Sequence, residues 1–426
     1  MTIPDHLWII ILKNLTIQKL IELRAFSRHF YRMVEYVLRK HPGWGDFVRT
    51  TISPEWLDDV MAKACPYDLI SLQNDNHNLL LWRKVYIYYK KWQNVLESRY
   101  RSFTITTPPD FGLIKMASTF EDYILIGYEE DMIGIYTWTN NNLNLLFLIE
   151  NEEQYLTQGE FWYCNGSLLV VSVDNQSGLR FWDLRNNIEL INRDCFAESI
   201  HYNGCRDFCI GELSGILTSF ERDGDNIIRG ATENLELSAD DVVLKHTFHK
   251  NIVSVLIFRD HEVRVKNYRV LINNGRLTGF QLVAQIDPIE LNPVCLTQLS
   301  KYTFLSQDYF YVTSELTDFY GFATNYNETE DYLWDSYVPE RFGPVTTMLM
   351  HAKLIILGFE DGSINIISIE SILDMEEMTF AMDKIEWSRK IRVAPRPIFH
   401  LAVWTIGQKN HIVAITDENI HLIKFP

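Results

Sequence analysis

Tyr123-Ile124-Leu125-Ile126-Gly127-Tyr128, the acidic step Glu130-Asp131, and Ile133-Gly134-Ile135-Tyr136-Thr137-Trp138 form one unit: an apolar strand, a tight turn, and a second apolar strand. The unit returns as Leu168–Val173, Asp174, Leu179–Trp182, and again as Phe208–Gly211, Glu212, Ile216–Phe220. Val253–Phe258 with Asp260 and Val263–Val265 follows, then Tyr302–Leu305 with Asp308 and Phe310–Thr313. Leu354–Gly358 with Asp361-Gly362 and Ile364–Ile367 is the sixth, and Ile412–Ile415 with Asp417 and Ile420–Phe425 the seventh. The acidic turns at 131, 174, 212, 260, 308, 361 and 417 are 43, 38, 48, 48, 53 and 56 residues apart. That spacing is close to the roughly 40–45 residues of a four-stranded propeller blade with some loop growth.

Sequence ahead of each unit supplies a further strand, as at Leu113–Ala117, Phe161–Cys164, Val294–Leu299 and Val345–Leu349. Sequence after it supplies a fourth, as at Leu143–Ile149 and Thr317–Phe322. One such sheet cannot bury both of its faces, so seven are expected to stack around an axis. The seventh unit runs to Phe425-Pro426 directly after its third strand and needs an outer strand from elsewhere. The alternating segment Ser102–Thr106, just ahead of the first unit, is the expected donor, sealing an exposed edge. No helical stretch interrupts the β pattern until near residue 370.

Residues 101–426 resemble a WD-repeat propeller, with Trp182-Asp183 as the one Trp-Asp pair and the acidic turns in the place of that family's structural Asp. The resemblance implies an all-β seven-bladed fold. It also implies ligand contacts where the outer strand of one blade crosses to the inner strand of the next. Candidates there are Trp162, Tyr163, His201, Tyr202, Arg341, Phe342 and Arg396.

The front of the chain reads differently. Pro4 and Asp5 open a run in which Leu7, Trp8, Ile11, Leu12 and Leu15 recur at three- and four-residue spacing, predicting a helix with one apolar face. Thr16 can cap a second helix with Leu20, Leu23, Phe26, Phe30 and Val34 on one side and Lys19, Glu22, Arg24 and Arg28 on the other. Two short amphipathic helices bury little alone and need a partner surface or a neighbouring domain. A mostly helical connector follows over 45–100, with Ser53-Pro54-Glu55 as a helix start. Its basic and aromatic stretch Leu79–Trp92 predicts a packed helix with snorkelling Lys and Arg rather than a nucleic-acid site.

Ile3-Pro4-Asp5-His6-Leu7, Ile11-Leu12, Leu15, Leu20-Ile21-Glu22-Leu23-Arg24 and Phe26-Ser27-Arg28-His29-Phe30 resemble the F-box pattern over about 40 residues. His6, Lys19 and Phe30 stand where that family more often has an acidic residue, Asp and Trp. The resemblance implies an F-box over 1–44, with Pro4, Leu7, Ile11, Leu12, Leu15, Leu20, Leu23, Phe26 and Phe30 meeting a Skp-family adaptor and, through it, a cullin. The implied role is a non-catalytic substrate adaptor of a Skp–cullin–F-box ubiquitin ligase. The competing reading is a propeller scaffold whose hairpin packs in cis and recruits no ligase.

Composition constrains the partners. The net charge of −17 divides unevenly: residues 1–100 hold 14 Lys and Arg against 10 Asp and Glu, and residues 101–426 hold 25 against 46. An acidic surface repels nucleic acid and anionic membrane and attracts basic protein, so a basic or unphosphorylated substrate is expected; the competing reading of the charge is solubility alone. No basic segment precedes the apolar Leu7–Leu12 run, which is too short for a signal sequence or a membrane span; a soluble cytoplasmic or nuclear protein is expected. Six scattered cysteines without zinc-type pairing fit reduced core thiols, Cys205 and Cys209 included. His246 and His249, three apart in a strand, point to opposite faces and make no metal pair. No cofactor, metal or catalytic motif is expected.

Overall fold

The strand that begins at Arg101 and the strand that ends at Lys424 lie side by side in one sheet, as the repeat pattern requires. The computed structural model describes residues 4–68, 78–106, 108–129, 132–139, 142–150, 156–174, 178–186, 188–197, 199–202, 207–212, 214–224, 226–235, 237–238, 240–249, 252–259, 262–273, 276–289, 297–298, 303–305, 309–313, 329–333, 345–368, 389–407 and 409–426. The chain divides into a helical unit, Met1–Trp92, and a β unit, Gln93–Pro426.

In the helical unit, α1 (Asp5–Lys13), α2 (Ile17–Leu23), α3 (Arg28–Leu38), α4 (Trp44–Thr51), α5 (Pro54–Ala64) and α6 (Leu79–Gln93) follow one another. The second predicted helix is in fact two. The Thr16 hydroxyl accepts the Lys19 N–H at 3.4 Å and starts α2, but the Ser27 hydroxyl accepts the Phe30 N–H at 3.1 Å and starts α3. A side-chain cap competes with helix continuation, and the apolar period alone did not register the break.

Both α1 and α2 pack on α3, whose Met33, Val34, Val37 and Leu38 are buried. Trp44 donates its indole N–H to the Leu38 carbonyl at 2.6 Å and joins Phe47 and Tyr86 in an aromatic cluster that fastens α4 to α6. Glu35 of α3 is held from two directions, by Arg24 and by Arg83 of α6, each at 2.7 Å. Arg49 lies over the Trp82 ring at 4.6 Å. Arg49 and Arg83 therefore serve internal packing, Arg83 within the basic and aromatic stretch expected to pack. No helix among the described residues is long and apolar enough to cross a membrane.

The β unit contains seven four-stranded antiparallel sheets among its described residues. Sheets 1 to 6 are built from consecutive strands over 114–150, 156–196, 199–234, 242–289, 297–333 and 345–392; sheet 7 combines 400–424 with Arg101–Thr106. Arg101 to Thr106 pair residue for residue with Lys424 to Asn419. The outer strand expected at Thr317–Phe322 lies outside the described residues, and the outer strand of sheet 5 is Thr329–Leu333. The helical stretch expected near residue 370 also lies outside them.

The central strands of sheets 1 and 2 are covered on both faces, which explains their continuous apolar runs. Ile124, Leu125 and Ile126 are all fully buried, as are Leu169, Val170 and Val171. One core joins sheets 1 and 2 through Leu125, Phe161 and Val170, and another joins sheets 2 and 3 through Trp162, Phe181, Phe208 and Phe220. A third joins sheet 3 to sheet 4, and a fourth joins sheet 7 to sheet 1 through Trp404, Val413, Leu422 and Trp138. The first strand of each of sheets 1 to 4 approaches the first strand of the next, as do those of sheets 6 and 7 and of sheets 7 and 1. Arg389, in the outer strand of sheet 6, donates to the carbonyls of Val95, Leu96 and Ser98 and lies over the Tyr100 ring, pinning the segment that leads into the first strand.

His411 sets a pH dependence for this unit. Burial pushes its pKa down to about 4, with the Lys409 carbonyl opposing and the Lys424 and Lys409 charges adding to the depression. The folded state keeps it neutral while an unfolded chain protonates it near pH 6.5, so its contribution is whole above that value and drains as the pH falls toward 4. A loss of about 3 kcal/mol over that interval is expected. Urea melts between pH 7.5 and 4.5 should show it, and His411→Asn should reduce the dependence while leaving the part due to His400 and His421, which burial also holds neutral.

Candidate docking surfaces

The first three helices are too short to bury every apolar residue that the first 30 positions carry. Leu12 and Leu20 go inside, with 1% and 0% of their surface exposed, where α1 and α2 meet α3. Both were expected to face an adaptor; the structure makes them core residues of the unit itself. Leu15, Leu23 and Phe30 are half-buried, Phe30 with its ring edge-on to Trp8 at 5.0 Å. Pro4, Leu7, Ile11 and Phe26 are exposed, Phe26 at 76%. Ile10, at 55%, joins them. It was missed because helical periodicity assigns one face, and the unbroken run Leu7–Leu12 puts apolar groups on more than one. Asp5 and His29 meet at 2.9 Å between the first turns of α1 and α3, beside this apolar group.

In the β unit the acidic turns are structural. Asp174 accepts the Gly178 N–H at 2.8 Å and closes its hairpin. Asp361 accepts the Ser363 N–H at 2.8 Å and the Ser363 hydroxyl, and receives Lys390 at 3.3 Å. Burial works against its ionisation, but these donors hold its carboxyl below the usual range. The adjoining Gly362 has φ +76°, and a Cβ there would run into the carbonyl oxygens of Ala394 and Arg396, so the Asp-Gly step cannot vary. Glu212 pairs with Arg229 at 2.8 Å. The turns at 131, 260 and 308 lie outside the described residues.

Asp183, of the Trp182-Asp183 step, is buried against Arg222 of sheet 3 at 2.6 Å. It also accepts the N–H groups of Arg185 and Asn186. It is thus a buried polar tie between sheets 2 and 3.

The expected ligand contacts separate. Trp162 is fully buried between Phe181 and Phe208, which corrects its assignment: it fills the core between two sheets. Tyr163 and Tyr202 come together, the Tyr202 hydroxyl donating to the Tyr163 carbonyl at 3.0 Å, and both remain half-buried. His201, also half-buried, precedes Tyr202 at the end of the first strand of sheet 3. Arg396 is exposed in part but engaged, with Asp417 at 2.6 Å and Glu418 at 2.9 Å. Arg341 and Phe342 lie outside the described residues.

Cys65, Cys164 and Cys209 are buried, and burial pushes the Cys164 thiol up to about 12, which marks it as packing. Among the described residues no group of three His, Cys, Asp or Glu side chains could hold a metal. His246 is buried within its strand.

No protein-family model matches the chain, and no curated protein matches it. Among solved structures it is similar to the crystal structure of the computationally designed Ika8 protein, with a TM-score of 0.41 and 10% identity, over 74% of this chain and 97% of that one.

Proposed function

We propose that this chain is the substrate-recognition adaptor of a Skp–cullin–F-box ubiquitin ligase, without catalytic activity of its own. The observation that carries the reading is the apolar group Pro4, Leu7, Ile10, Ile11 and Phe26, left exposed in an F-box-like register on a unit whose own core is already filled by Leu12, Leu20 and Val34. Several large apolar side chains left exposed on a small helical unit mark an interaction surface, and the occupant is a Skp-family adaptor that links to a cullin. The β unit is a closed seven-bladed WD-repeat-like propeller. Its support is the four-stranded unit repeated seven times, the approach of first strand to first strand, and the joining of both ends of the unit in sheet 7. The propeller holds a protein substrate with a basic surface, and Tyr163, His201 and Tyr202 offer the half-buried polar and aromatic contacts. Tethering substrate and ligase raises the local concentration of charged ubiquitin-carrier enzyme around target lysines.

The test is co-purification of full-length protein with a Skp-family adaptor. Leu7→Asp, Ile11→Asp and Phe26→Asp, all at exposed positions, should each weaken capture about tenfold or more while leaving the melting temperature within about 2 °C. Capture that survives all three, or is absent from the parent protein, overturns the ligase reading in favour of a propeller scaffold that recruits no ligase.

A further inference from the structure

Sheet 7 ends in a row of basic residues. Arg101 stands directly opposite Lys424, and Lys424 directly opposite His411. Lys409 lies two residues from His411 on the same face of its strand. Like charges facing across a ladder destabilise it, and among the described residues none of Arg101, Lys409 and Lys424 has an acidic partner. The Lys424 ammonium is held below its ordinary pKa by burial and by the Lys409 and Arg101 charges. This occurs in a segment, 101–426, that carries 46 acidic residues against 25 basic ones. A cationic cluster kept uncompensated in so acidic a domain is not a solubility device.

The row borders a groove. An open cleft of about 480 Å³ runs between Phe103, Thr104 and Ile105 of sheet 7 and Trp138, Asn142, Leu143 and Asn144 of sheet 1. Its lining mixes polar Thr104, Asn142 and Asn144 with apolar Phe103, Trp138 and Leu143; Phe103 is edge-on to Trp138 at 5.6 Å, and the Lys424 ammonium lies 6.0 Å from the Phe103 ring centre. Both walls are edge strands: Arg101–Thr106 is outermost in its sheet and Asn142–Glu150 in the neighbouring one. Their outward-facing backbone groups are a template for a further strand. On the second wall, Leu145 and Leu146 stay 45% and 44% exposed.

We infer that this groove binds an extended acidic segment of another protein, with an apolar side chain over Phe103 and Trp138 and carboxylates beside Lys424, Arg101 and Lys409. The groove supplies strand-edge hydrogen bonding and an apolar pocket, and the cationic end fixes direction and selects for acid. The site stands apart from the helical unit's partner and from the long-range attraction of basic surfaces: net charge acts at a distance, the groove at contact.

Selection of a displayed random octapeptide library on the full-length protein tests it. The expected result is enrichment of peptides that join one or two aromatic or branched apolar residues to at least two Asp or Glu. Binding of the enriched peptides should fall about tenfold on the combined change Arg101→Glu and Lys424→Glu. Lys-ended versions of those peptides should bind the reversed protein better than the parent. The reversal exchanges one like-charge pair for another across the ladder, so the melting temperature should stay within about 2 °C of the parent; Lys424→Gln, which removes the charge facing Arg101, should also weaken binding and supplies the readout should the double change fail to fold. Enriched peptides without acidic residues, equal binding to parent and variant, no enrichment, or tighter binding of a single-stranded oligonucleotide than of any peptide would overturn the inference.

Discussion

Replacing Phe103 and Ile105 together by Asp is expected to destabilise the β unit by about 3–5 kcal/mol, with loss of near-ultraviolet circular dichroism at moderate urea. Both side chains are half-buried against a core that contains Trp138, Val413, Ile420 and Leu422, so each gives up part of its apolar burial and a carboxylate must desolvate in its place. The strand they belong to is the sole neighbour of Asn419–Lys424 on that side. Its pairing spans 317 residues between Thr104 and His421. A contact of such sequence separation is costly to close and comes late, so losing it acts on the whole unit rather than on one hairpin. Ser102→Asp, at an exposed position of the same strand, should stay within about 0.5 kcal/mol of the parent. An unchanged urea midpoint for the double substitution would mean that three strands suffice in sheet 7.

The hairpins were legible in the sequence because two signals coincide in them: apolar runs long enough to be buried on both faces, and an acidic or Asp-Gly turn whose carboxylate closes the loop, as Asp174 and Asp361 do. The pairing of Ser102–Thr106 with the last strand was legible for a related reason, since a sheet short of one strand must find it somewhere. Individual side chains were less readable. Trp162 sits next to Tyr163 in a strand covered on both faces, and alternation cannot say which of two neighbours meets solvent when neither face is free. Periodicity in α1 and α2 identified an apolar face but not what covers it, so Leu12 and Leu20 read like Leu7 and Ile11 although α3 buries the first pair. The cationic row was invisible because Arg101 and Lys424 lie at opposite ends of the β unit's sequence and meet through strand register alone.

The buried pair between Asp183 and Arg222 carries the largest single-residue effect expected in the molecule. With side chains 1% and 6% exposed, removing one partner strands the other's charge in a medium that cannot solvate it. Asp183→Ala should therefore cost about 3–5 kcal/mol, the more so because the N–H groups of Arg185 and Asn186 lose their acceptor as well. The combined change Asp183→Leu and Arg222→Met should cost clearly less than Asp183→Ala, since no isolated charge remains and the volume is filled. Burial raises the Asp183 pKa, but the Arg222 hydrogen bond, the two backbone donors and the Arg222 charge outweigh it and hold the carboxyl below the usual range. A carboxylate more acidic in the folded chain than in the unfolded one contributes fully above its unfolded pKa, and that contribution disappears as the pH falls through the folded value. Acid titration of the parent should show a first loss, beginning near pH 6.5, from His411 together with His400 and His421, and a second, at lower pH, in which Asp183 takes part. In the variant that combines Asp183→Leu with Arg222→Met the second loss should shrink while the first persists; equal shrinkage of both would show that the two groups titrate as one network.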